Sequence, residues 1–448
     1  MIVKFQMLST ICSNVLSVRS TYQLRFCRSI FLSNVYNKKK VDDLIPFQVL
    51  PDLDNPTLNP INHADLLKLK IIPNAESKIL RVAILGVPNS GKSTLVNKLV
   101  GQHICPESFK PNTTRRSAKA ILTSGDTQVV FLDTPGVVED KAAAKYKMEK
   151  TLLLDPEMSC SEADLLVVMQ DVSNRYVRES MNKKVLRLLC LHYKDVPSIL
   201  VMNKMDTIPK SRRVYDLIRK LTCNRLDGDQ GQIKIAKHDS KRSVEKYLKR
   251  KERAVQEAVV VKDDVGEVLE IASKENLSEE KTLGLIAGLI GWPGFRDVFT
   301  ISALNGDGVE DLKEYLLGAA EPGKWIYPDK VKFDDDPRNI VINIIKSKFL
   351  DHLPHTIPYT LKPEIQLWEI DEDWKSLRIM VTVEADKNQF KLIVGKGGVK
   401  IKALSTDIQD SLIDFFSHEV HFKLSVVPTF TTVLQEKHPS TIKPELFL

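Results

Sequence analysis

Residues Gly86 to Ser93, Gly-Val-Pro-Asn-Ser-Gly-Lys-Ser, have the types and spacing of a loop that binds nucleotide phosphates. An apolar run at 80–85 precedes them and a helical pattern begins at Thr94, which is the strand–loop–helix context that this motif requires. The glycines would let successive N–H groups converge on the β-phosphate, and Lys92 would place a positive charge beside the β- and γ-phosphates. The Ser93 hydroxyl would bind Mg²⁺. The candidate phosphate-binding residues are Gly86, Val87, Pro88, Asn89, Ser90, Gly91, Lys92, Ser93 and Thr94.

A second motif, Asn203-Lys204-Met205-Asp206, follows the apolar run 198–202 and predicts which base is bound. The Asp206 carboxylate could accept hydrogen bonds from both N1–H and the 2-amino group of guanine. Adenine has no such pair of donors and would leave the carboxylate unpaired, at a cost of roughly 2–5 kcal/mol. Asn203 would tie this loop to the phosphate loop, and the Lys204 stem would cover the ring. The sequence therefore predicts GTP and GDP rather than ATP as ligands.

Three further segments complete the predicted nucleotide site. Asp133-Thr134-Pro135-Gly136 follows the run 129–132, so that Asp133 would hold Mg²⁺ through water and the Gly136 N–H would sense the γ-phosphate. Ser302-Ala303 follows the run 299–301, and its backbone could donate to guanine O6. Between the phosphate loop and Asp133, Lys110 to Arg115 contains Thr114, favoured over Thr113 as the switch hydroxyl that closes over Mg²⁺, although the segment could also be an ordinary surface loop. The predicted metal ligands are Ser93, Thr114 and Asp133.

These five elements, in this order, resemble the translation-factor-related small GTPases. The segment Lys-Pro-Asn-Thr-Thr-Arg, followed by Asp-Thr-Pro-Gly, resembles the Era branch in particular. The resemblance implies an α/β P-loop GTPase domain of the Ras-like kind, with a mostly parallel sheet and helices on both faces. Related GTPases that share the loop pattern G-x-P-N-x-G-K-S use its asparagine to help bind K⁺, which implies a potassium role for Asn89; a purely structural role is the alternative. Val137 stands where many GTPases have a glutamine that positions water, so slow turnover is expected without a partner.

Residues 338–428 predict a second domain. Helical spacing over 338–350 precedes strand-like runs at 359–369 and 376–385, a short helix at 387–393, a long helix to Phe416 and a strand at 420–427. With Gly395-Lys396-Gly397-Gly398 between the two later helices, this α+β order resembles a type II KH domain. Glycines there let a nucleic-acid backbone approach the main chain, and clustered lysines suit its phosphates. The predicted RNA-binding residues are Lys391, Gly395, Lys396, Gly397, Gly398, Lys400 and Lys402.

Charge and composition divide the rest of the chain. Residues 1–41 hold seven cations and no acid, which predicts a mitochondrial transit peptide, with a basic tail that carries no address as the alternative. The remaining 58 basic residues equal the 58 acidic ones in number, so any basic surface must be local. The predicted division is a transit peptide at 1–41, an extended connector at 42–77, a GTPase domain at 78–320 with a basic insertion at about 209–285, a linker or hinge at 321–337, a KH domain at 338–428 and a C-terminal tail at 429–448.

The insertion concentrates lysine and arginine at 237–253, where a solvated, partly disordered excursion is favoured over a basic RNA-contacting helix. Six cysteines lack CxxC spacing, which argues against a zinc site or a disulfide framework. The sequence contains no run of 18 uncharged apolar residues, so a membrane-spanning helix is not expected.

A GTPase domain followed by a KH domain resembles the architecture of the Era family. That resemblance implies a GTP-hydrolysing protein of the mitochondrial matrix that binds small-subunit rRNA near its 3′ end and assists assembly of the small ribosomal subunit. Its expected partners are that rRNA and precursors of the small subunit, with the inner-membrane surface as a secondary partner and no DNA. The alternative function is a GTP-gated RNA-binding module or RNA chaperone in which hydrolysis is incidental.

Overall fold

The computed structural model describes residues 58–69, 71, 76–106, 119–132, 151–208, 212–225, 233–235, 264–274, 279–354, 357–370 and 376–428. Within these ranges, no helix combines the length and the hydrophobicity that crossing a membrane would require.

The described part of the first domain is built on a sheet of eight strands. Its strands are β1 (Lys78–Leu85), β2 (Ala120–Ser124), β3 (Thr127–Leu132), β4 (Leu165–Asp171), β5 (Ser198–Asn203), β6 (Ile233–Ile235), β7 (Phe295–Thr300) and β8 (Glu321–Pro322). The order is β2-β3-β1-β4-β5-β7-β6, with β8 pairing with β1. Among the described strands of this sheet, only β2 with β3 and β8 with β1 pair antiparallel. Because most of the pairs are parallel, the strands that carry the predicted loops end at one edge of the sheet.

Helices cover both faces of this sheet. They are α2 (Lys92–Val100), α3 (Thr151–Glu162), α4 (Lys183–His192), α5 (Arg212–Leu221), α6 (Asp264–Lys274), α7 (Glu279–Ile286) and α8 (Val309–Gly318); a helix α1 (Pro60–Leu67) precedes the sheet. In β1, Val82 and Ile84 belong to the same core cluster as α2 and α8, whereas Ala83 and Leu85 belong to the cluster that contains α4 and α5. This alternation follows from the two-residue period of a strand, and it confirms the predicted class of the first domain.

The C-terminal domain has a three-stranded sheet covered by helices. Its elements are α9 (Pro337–His352), α10 (Ile357–Thr360), β9 (Pro363–Ile370), β10 (Leu377–Ala385), α11 (Lys387–Val394), α12 (Val399–Phe416) and β11 (Val420–Pro428). The central strand β10 pairs antiparallel with β9 and parallel with β11. The α-β-β-α-α-β order of a type II KH domain is therefore confirmed. The strand predicted at 359–369 begins only at Pro363, because the preceding residues form the short helix α10.

Two segments predicted to be extended or flexible are folded. Within the connector 42–77, α1 forms because the Asn59 side chain accepts a hydrogen bond from the Ile61 N–H and Pro60 suits the first helical turn. Within the linker 321–337, β8 joins the first sheet, and Phe333 is buried and forms a bridge with Ala120. The hinge interpretation of this linker is therefore wrong over these residues, because both ends of the segment are fixed to the first domain.

The insertion forms regular elements where the structure describes it. Its described parts form α5, β6, α6 and α7, and β6 adds an edge strand beside β7. The Lys183 ammonium donates to the carbonyl oxygens of Ile286, Ala287 and Leu289 at 2.9–3.0 Å, which fixes the C-terminal end of α7 to α4. The apolar faces of α5, α6 and α7 add to the core of the first domain. The basic run 237–253, the predicted transit peptide 1–41 and the predicted tail 429–448 lie outside the described residues, so the excursion at 237–253 stays a prediction.

Candidate nucleotide and RNA sites

The phosphate loop connects β1 to α2 in a curled conformation. Gly91 has φ +98° and Asn89 has φ +62°, and Gly91 is the residue from which α2 starts. A Cβ on Gly86 would lie 2.7 Å from the Met169 carbonyl oxygen, so no larger residue fits there. The Lys92 ammonium donates to the carbonyl oxygens of Gly86 and Val87, both at 3.1 Å. The lysine thus reaches back over the loop, at the start of a helix whose dipole favours an anion.

Asn203 joins the three loops at the carboxyl edge of the sheet. Its side chain is 2% exposed, and Nδ2 donates to the Ser90 carbonyl oxygen at 2.8 Å. Its Oδ1 accepts a hydrogen bond from the Ala303 N–H at 2.9 Å. The predicted tie between base loop and phosphate loop is therefore confirmed as geometry. The Ala303 N–H, predicted to face guanine O6, is instead directed at Asn203 in this structure.

The predicted base-reading residues lie beside this tie. Asp206 is exposed, and its Oδ1 accepts a hydrogen bond from the Ser302 hydroxyl at 2.7 Å, which orients the carboxylate. The Lys204 ammonium lies 2.7 Å from Oδ2 of Asp171, whose Oδ1 accepts from the Ser173 N–H and hydroxyl. Sequence reasoning missed Asp171. The signal for it was an acidic residue two positions after the apolar run 165–169.

The remaining members of the nucleotide site are only partly covered by the structure. Ser93 lies in the first turn of α2, where its hydroxyl can reach a cation held by phosphates. The residues Thr113, Thr114, Asp133, Thr134, Pro135, Gly136 and Val137 lie outside the described residues. The magnesium and switch roles given to them therefore stay predictions. The described donors, namely a curled backbone loop, Lys92 and Ser93, fit a magnesium-bound nucleotide.

The Gly-x-x-Gly loop of the C-terminal domain is a tight turn between α11 and α12. Gly395, Gly397 and Gly398 have φ of +72°, +64° and +76°, a conformation that L side chains rarely adopt. A Cβ on Gly395 would lie 2.8 Å from Cγ of Lys400. The four lysines predicted to meet RNA are all exposed around this turn: Lys391, Lys396, Lys400 and Lys402. The loop therefore presents bare backbone flanked by positive charge.

Two apolar side chains beside this loop were not predicted from the sequence. Val399 is 70% exposed at the start of α12, and Leu392 is 44% exposed on α11. Apolar surface next to a phosphate-binding turn can support bases whose backbone lies on the turn. Helical spacing alone could not show which apolar residues near the loop face solvent. Leu392 is exposed, for example, although Ile393 next to it is buried.

A direct contact links the two domains. Gln102, two residues beyond the end of α2, donates from Nε2 to the Phe415 carbonyl oxygen at 2.7 Å. Phe415 lies near the C-terminal end of α12, whose first residue follows the Gly-x-x-Gly loop. One helix thus runs from the phosphate loop to this contact, and another runs from the contact to the Gly-x-x-Gly loop.

The N-terminal helix α1 packs at the same junction. The Trp368 indole on β9 donates to the Leu58 carbonyl oxygen at 2.9 Å, and the His63 ring stacks on Phe333 at a centroid distance of 4.4 Å. Phe333 in turn contacts Phe415 at 5.6 Å. The two domains are therefore held by a shared apolar cluster as well as by the Gln102 hydrogen bond.

Comparisons with known proteins agree with this arrangement. A family model described as a 50S ribosome-binding GTPase matches residues 81–204. The chain is 36% identical over 356 residues to the mitochondrial GTPase Era of Salmo salar, covering 78% of this chain and 76% of that protein. It is 30% identical over 378 residues to the mitochondrial GTPase Era of Caenorhabditis elegans, covering 81% and 92%.

Among solved structures, the fold is similar to that of Era bound to MgGDPNP and to nucleotides 1506–1542 of 16S ribosomal RNA. The TM-score is 0.52 at 22% identity, and the match covers 79% of this chain and 94% of that one.

Proposed function

Because the chain belongs to the Era family of GTPases, we propose that it binds mitochondrial small-subunit rRNA near the 3′ end and assists assembly of the small ribosomal subunit. Hydrolysis of GTP to GDP and phosphate is the activity of this family. The observation that carries the RNA part of the proposal is the Gly395–Gly398 turn, with its three left-handed glycines and its exposed lysines.

In the proposed nucleotide site, phosphate oxygens take the place of the carbonyl oxygens that now hold the Lys92 ammonium. Backbone N–H groups of the loop 86–94, other than at Pro88, would surround the β-phosphate, and Asp206 would accept from the guanine donors while Ser302 fixes its orientation. Ser93, Thr114 and Asp133 would hold Mg²⁺, which when bound neutralises charge between the β- and γ-phosphates. Val137 cannot orient water, so we expect slow turnover without a partner. Asn89 at the loop is the proposed potassium ligand.

In the proposed RNA site, the phosphate backbone passes over the Gly-x-x-Gly turn, where no side chain blocks its approach. Lys391, Lys396, Lys400 and Lys402 supply charge to the phosphates, and Val399 supports a base. Support for rRNA as the ligand comes from the solved Era complex with 16S rRNA, whose fold the chain shares. We place this site in a KH domain at 338–428, and the nucleotide site in a GTPase domain at 78–320.

We further propose that the protein acts in the mitochondrial matrix, with small-subunit precursors as partners and the inner-membrane surface as a secondary one. This rests on the cation-rich, acid-free residues 1–41 and on the mitochondrial names of the relatives. Crosslinking of RNA to the protein in intact mitochondria, followed by sequencing, tests it. Fragments from the 3′ end of the small-subunit rRNA are expected, and a set of fragments without them would contradict the proposal.

The second candidate, a GTP-gated RNA-binding module or RNA chaperone, is favoured by the contact between Gln102 and Phe415, which joins the phosphate-loop helix to the RNA-loop helix. The two candidates differ in whether RNA changes hydrolysis. An assembly factor should hydrolyse GTP faster when a 3′-terminal rRNA fragment is present, whereas a gated module should show the same rate and a nucleotide-dependent RNA affinity. A chain with Lys396→Asp and Gly397→Asp serves as the control, since it should not respond to RNA.

A further inference from the structure

Tyr176 is 96% exposed at the tip of a turn between β4 and α4. Arg175 beside it is also exposed. A ring that is so fully exposed adds almost no buried apolar surface to the fold, so its removal should leave the core intact.

The turn that carries Tyr176 is held rigidly. The N–H groups of Val177 and Arg178 both donate to the Asn174 carbonyl oxygen, at 3.3 and 3.0 Å, and the Tyr176 N–H donates to Oδ1 of Asn174 at 3.0 Å. On the interior side of the turn, the amide of Gln170, which is 7% exposed, donates to the carbonyl oxygen of Val177 at 2.8 Å. The ring is therefore presented on a preformed platform, which lowers the entropy lost when a ligand stacks on it.

A cavity of about 430 Å³ opens beside this turn. Arg178 is two residues from Tyr176, so their Cα atoms are at most about 7.6 Å apart. The cavity is lined by the cations Arg178, Arg219 and Lys220, the acids Glu179 and Asp216, and Ile208.

The charges in this cavity are unevenly paired. Lys220 lies 2.6 Å from Glu179, whereas the guanidinium of Arg178 approaches the same carboxylate only at 4.0 Å. Nε of Arg178 is buried and has no hydrogen-bond partner among the described residues. Together with Arg175, the surface has four cations against two carboxylates. This excess of positive charge favours an anion at the surface.

We propose that this Tyr176 surface, formed by Arg175, Tyr176 and the cavity lined by Arg178, Arg219 and Lys220, binds single-stranded RNA. One base stacks on the Tyr176 ring, and the neighbouring phosphates contact the arginines. An exposed aromatic ring beside cations on a rigid support is the usual combination for single-stranded nucleic acid. An acidic peptide would satisfy the cations but gives no reason for the exposed ring.

The position of this surface connects it to the nucleotide site. Gln170, which supports the turn, immediately precedes Asp171, which pairs with Lys204. Ile208 lines the cavity two residues after the guanine-reading Asp206. RNA bound here would therefore contact the same loop that reads the base. The inference takes RNA as its ligand class from the proposed function, but its site lies in the other domain.

The test uses the full chain and a 20-nucleotide oligouridine that contains 4-thiouridine. Ultraviolet crosslinking and mass spectrometry should place label on the peptide that contains residues 174–178. Tyr176→Ala should weaken binding by about 5- to 150-fold, the range for losing one stacked base. The matched control Tyr176→Phe keeps the ring and should bind as the unchanged chain does. Equal GDP affinity in all three proteins shows that the fold is retained.

Three outcomes would overturn the proposal. They are absence of label on this peptide, equal RNA affinity of Tyr176→Ala and Tyr176→Phe, and displacement of the label from this peptide by polyglutamate as effectively as by unlabelled oligouridine. The same binding measurements on a chain that carries both Lys396→Asp and Gly397→Asp separate the two RNA sites. If only that chain loses RNA binding, the KH assignment stands and the proposal for the Tyr176 surface is wrong. If only Tyr176→Ala loses RNA binding, the KH assignment is wrong.

Discussion

Replacing Asn203 by alanine tests whether one side chain holds the nucleotide site together. The change removes the donor to the Ser90 carbonyl oxygen and the acceptor of the Ala303 N–H, bonds of 2.8 and 2.9 Å. Both backbone groups belong to residues that are at most 1% exposed. Leaving a buried backbone group without its partner costs about 1–3 kcal/mol, so the free energy of unfolding should fall by roughly 2–6 kcal/mol.

The nucleotide affinity should fall as well, because the phosphate loop and the base loop lose their common support. A tenfold weaker GDP affinity corresponds to about 1.4 kcal/mol, and at least that loss is expected. Urea denaturation and titration with a fluorescent GDP analogue measure the two effects. Asn203→Asp keeps the acceptor for Ala303 but loses the donor to Ser90. Its free energy of unfolding and its GDP affinity should lie between those of the unchanged chain and those of Asn203→Ala.

Asn388→Ala is the matched control, since Asn388 is exposed on α11 and its loss should change stability by less than about 0.5 kcal/mol. If Asn203→Ala unfolds at the same urea concentration as Asn388→Ala and binds GDP as tightly, the reasoning about the loop tie is refuted.

Three other predictions concern the base, the cation and pH. Asp206→Asn should lose GTP and gain xanthosine triphosphate, because the amide NH₂ can meet the 2-oxo group of xanthine; full GTP affinity in a competition titration would show that Asp206 does not read the base. If Asn89 supports a potassium site, phosphate release should be several-fold faster in KCl than in NaCl at equal ionic strength, and equal rates would remove the potassium role. Burial lowers the pKa of His63 below its ordinary 6.5, although Asp336 opposes the shift. The unfolded chain therefore binds more protons just below pH 6.5, and the free energy of unfolding should fall as pH drops through that range. His63→Phe should flatten this slope in urea denaturation, and an unchanged slope would mean that His63 is not the group.

The sequence predicted the parts of the site that depend on local motifs. The phosphate loop, the Asn203 tie and the Gly395–Gly398 turn each need particular residue types at fixed spacing, because curled backbone demands glycine and a buried tie demands an amide. The fold class followed from the same spacing together with strand and helix patterns.

The parts that depend on distant partners could not be read from the sequence. Helix α1 was expected to be extended, and its docking against Trp368 involves residues about three hundred positions apart. The pairing of Lys204 with Asp171 and of Gln102 with Phe415 likewise depends on strand order and domain placement. Whether Val399 and Tyr176 are exposed depends on whether distant parts of the chain pack over them. Local periodicity does not encode such packing.

The most direct test of the central claim measures RNA and GTP binding in a chain that carries Lys396→Asp and Gly397→Asp. Aspartate tolerates the left-handed backbone at Gly397, where φ is +64°, better than most residues, so the turn should still form while negative charge replaces the phosphate contact. The matched control carries Lys194→Asp and Gly125→Asp, which make the same charge change at two exposed positions, one of them also left-handed at φ +57°.

With a 3′-terminal small-subunit rRNA fragment as ligand, the loop variant should lose most of its affinity. The slope of log K against log salt should flatten by roughly 1.4, the loss of about two phosphate contacts at about 0.7 each. GTP affinity should not change, and the control should bind both ligands normally. RNA affinity and salt slope equal to those of the control would contradict the account and would leave Gly395–Gly398 as an ordinary turn between two helices.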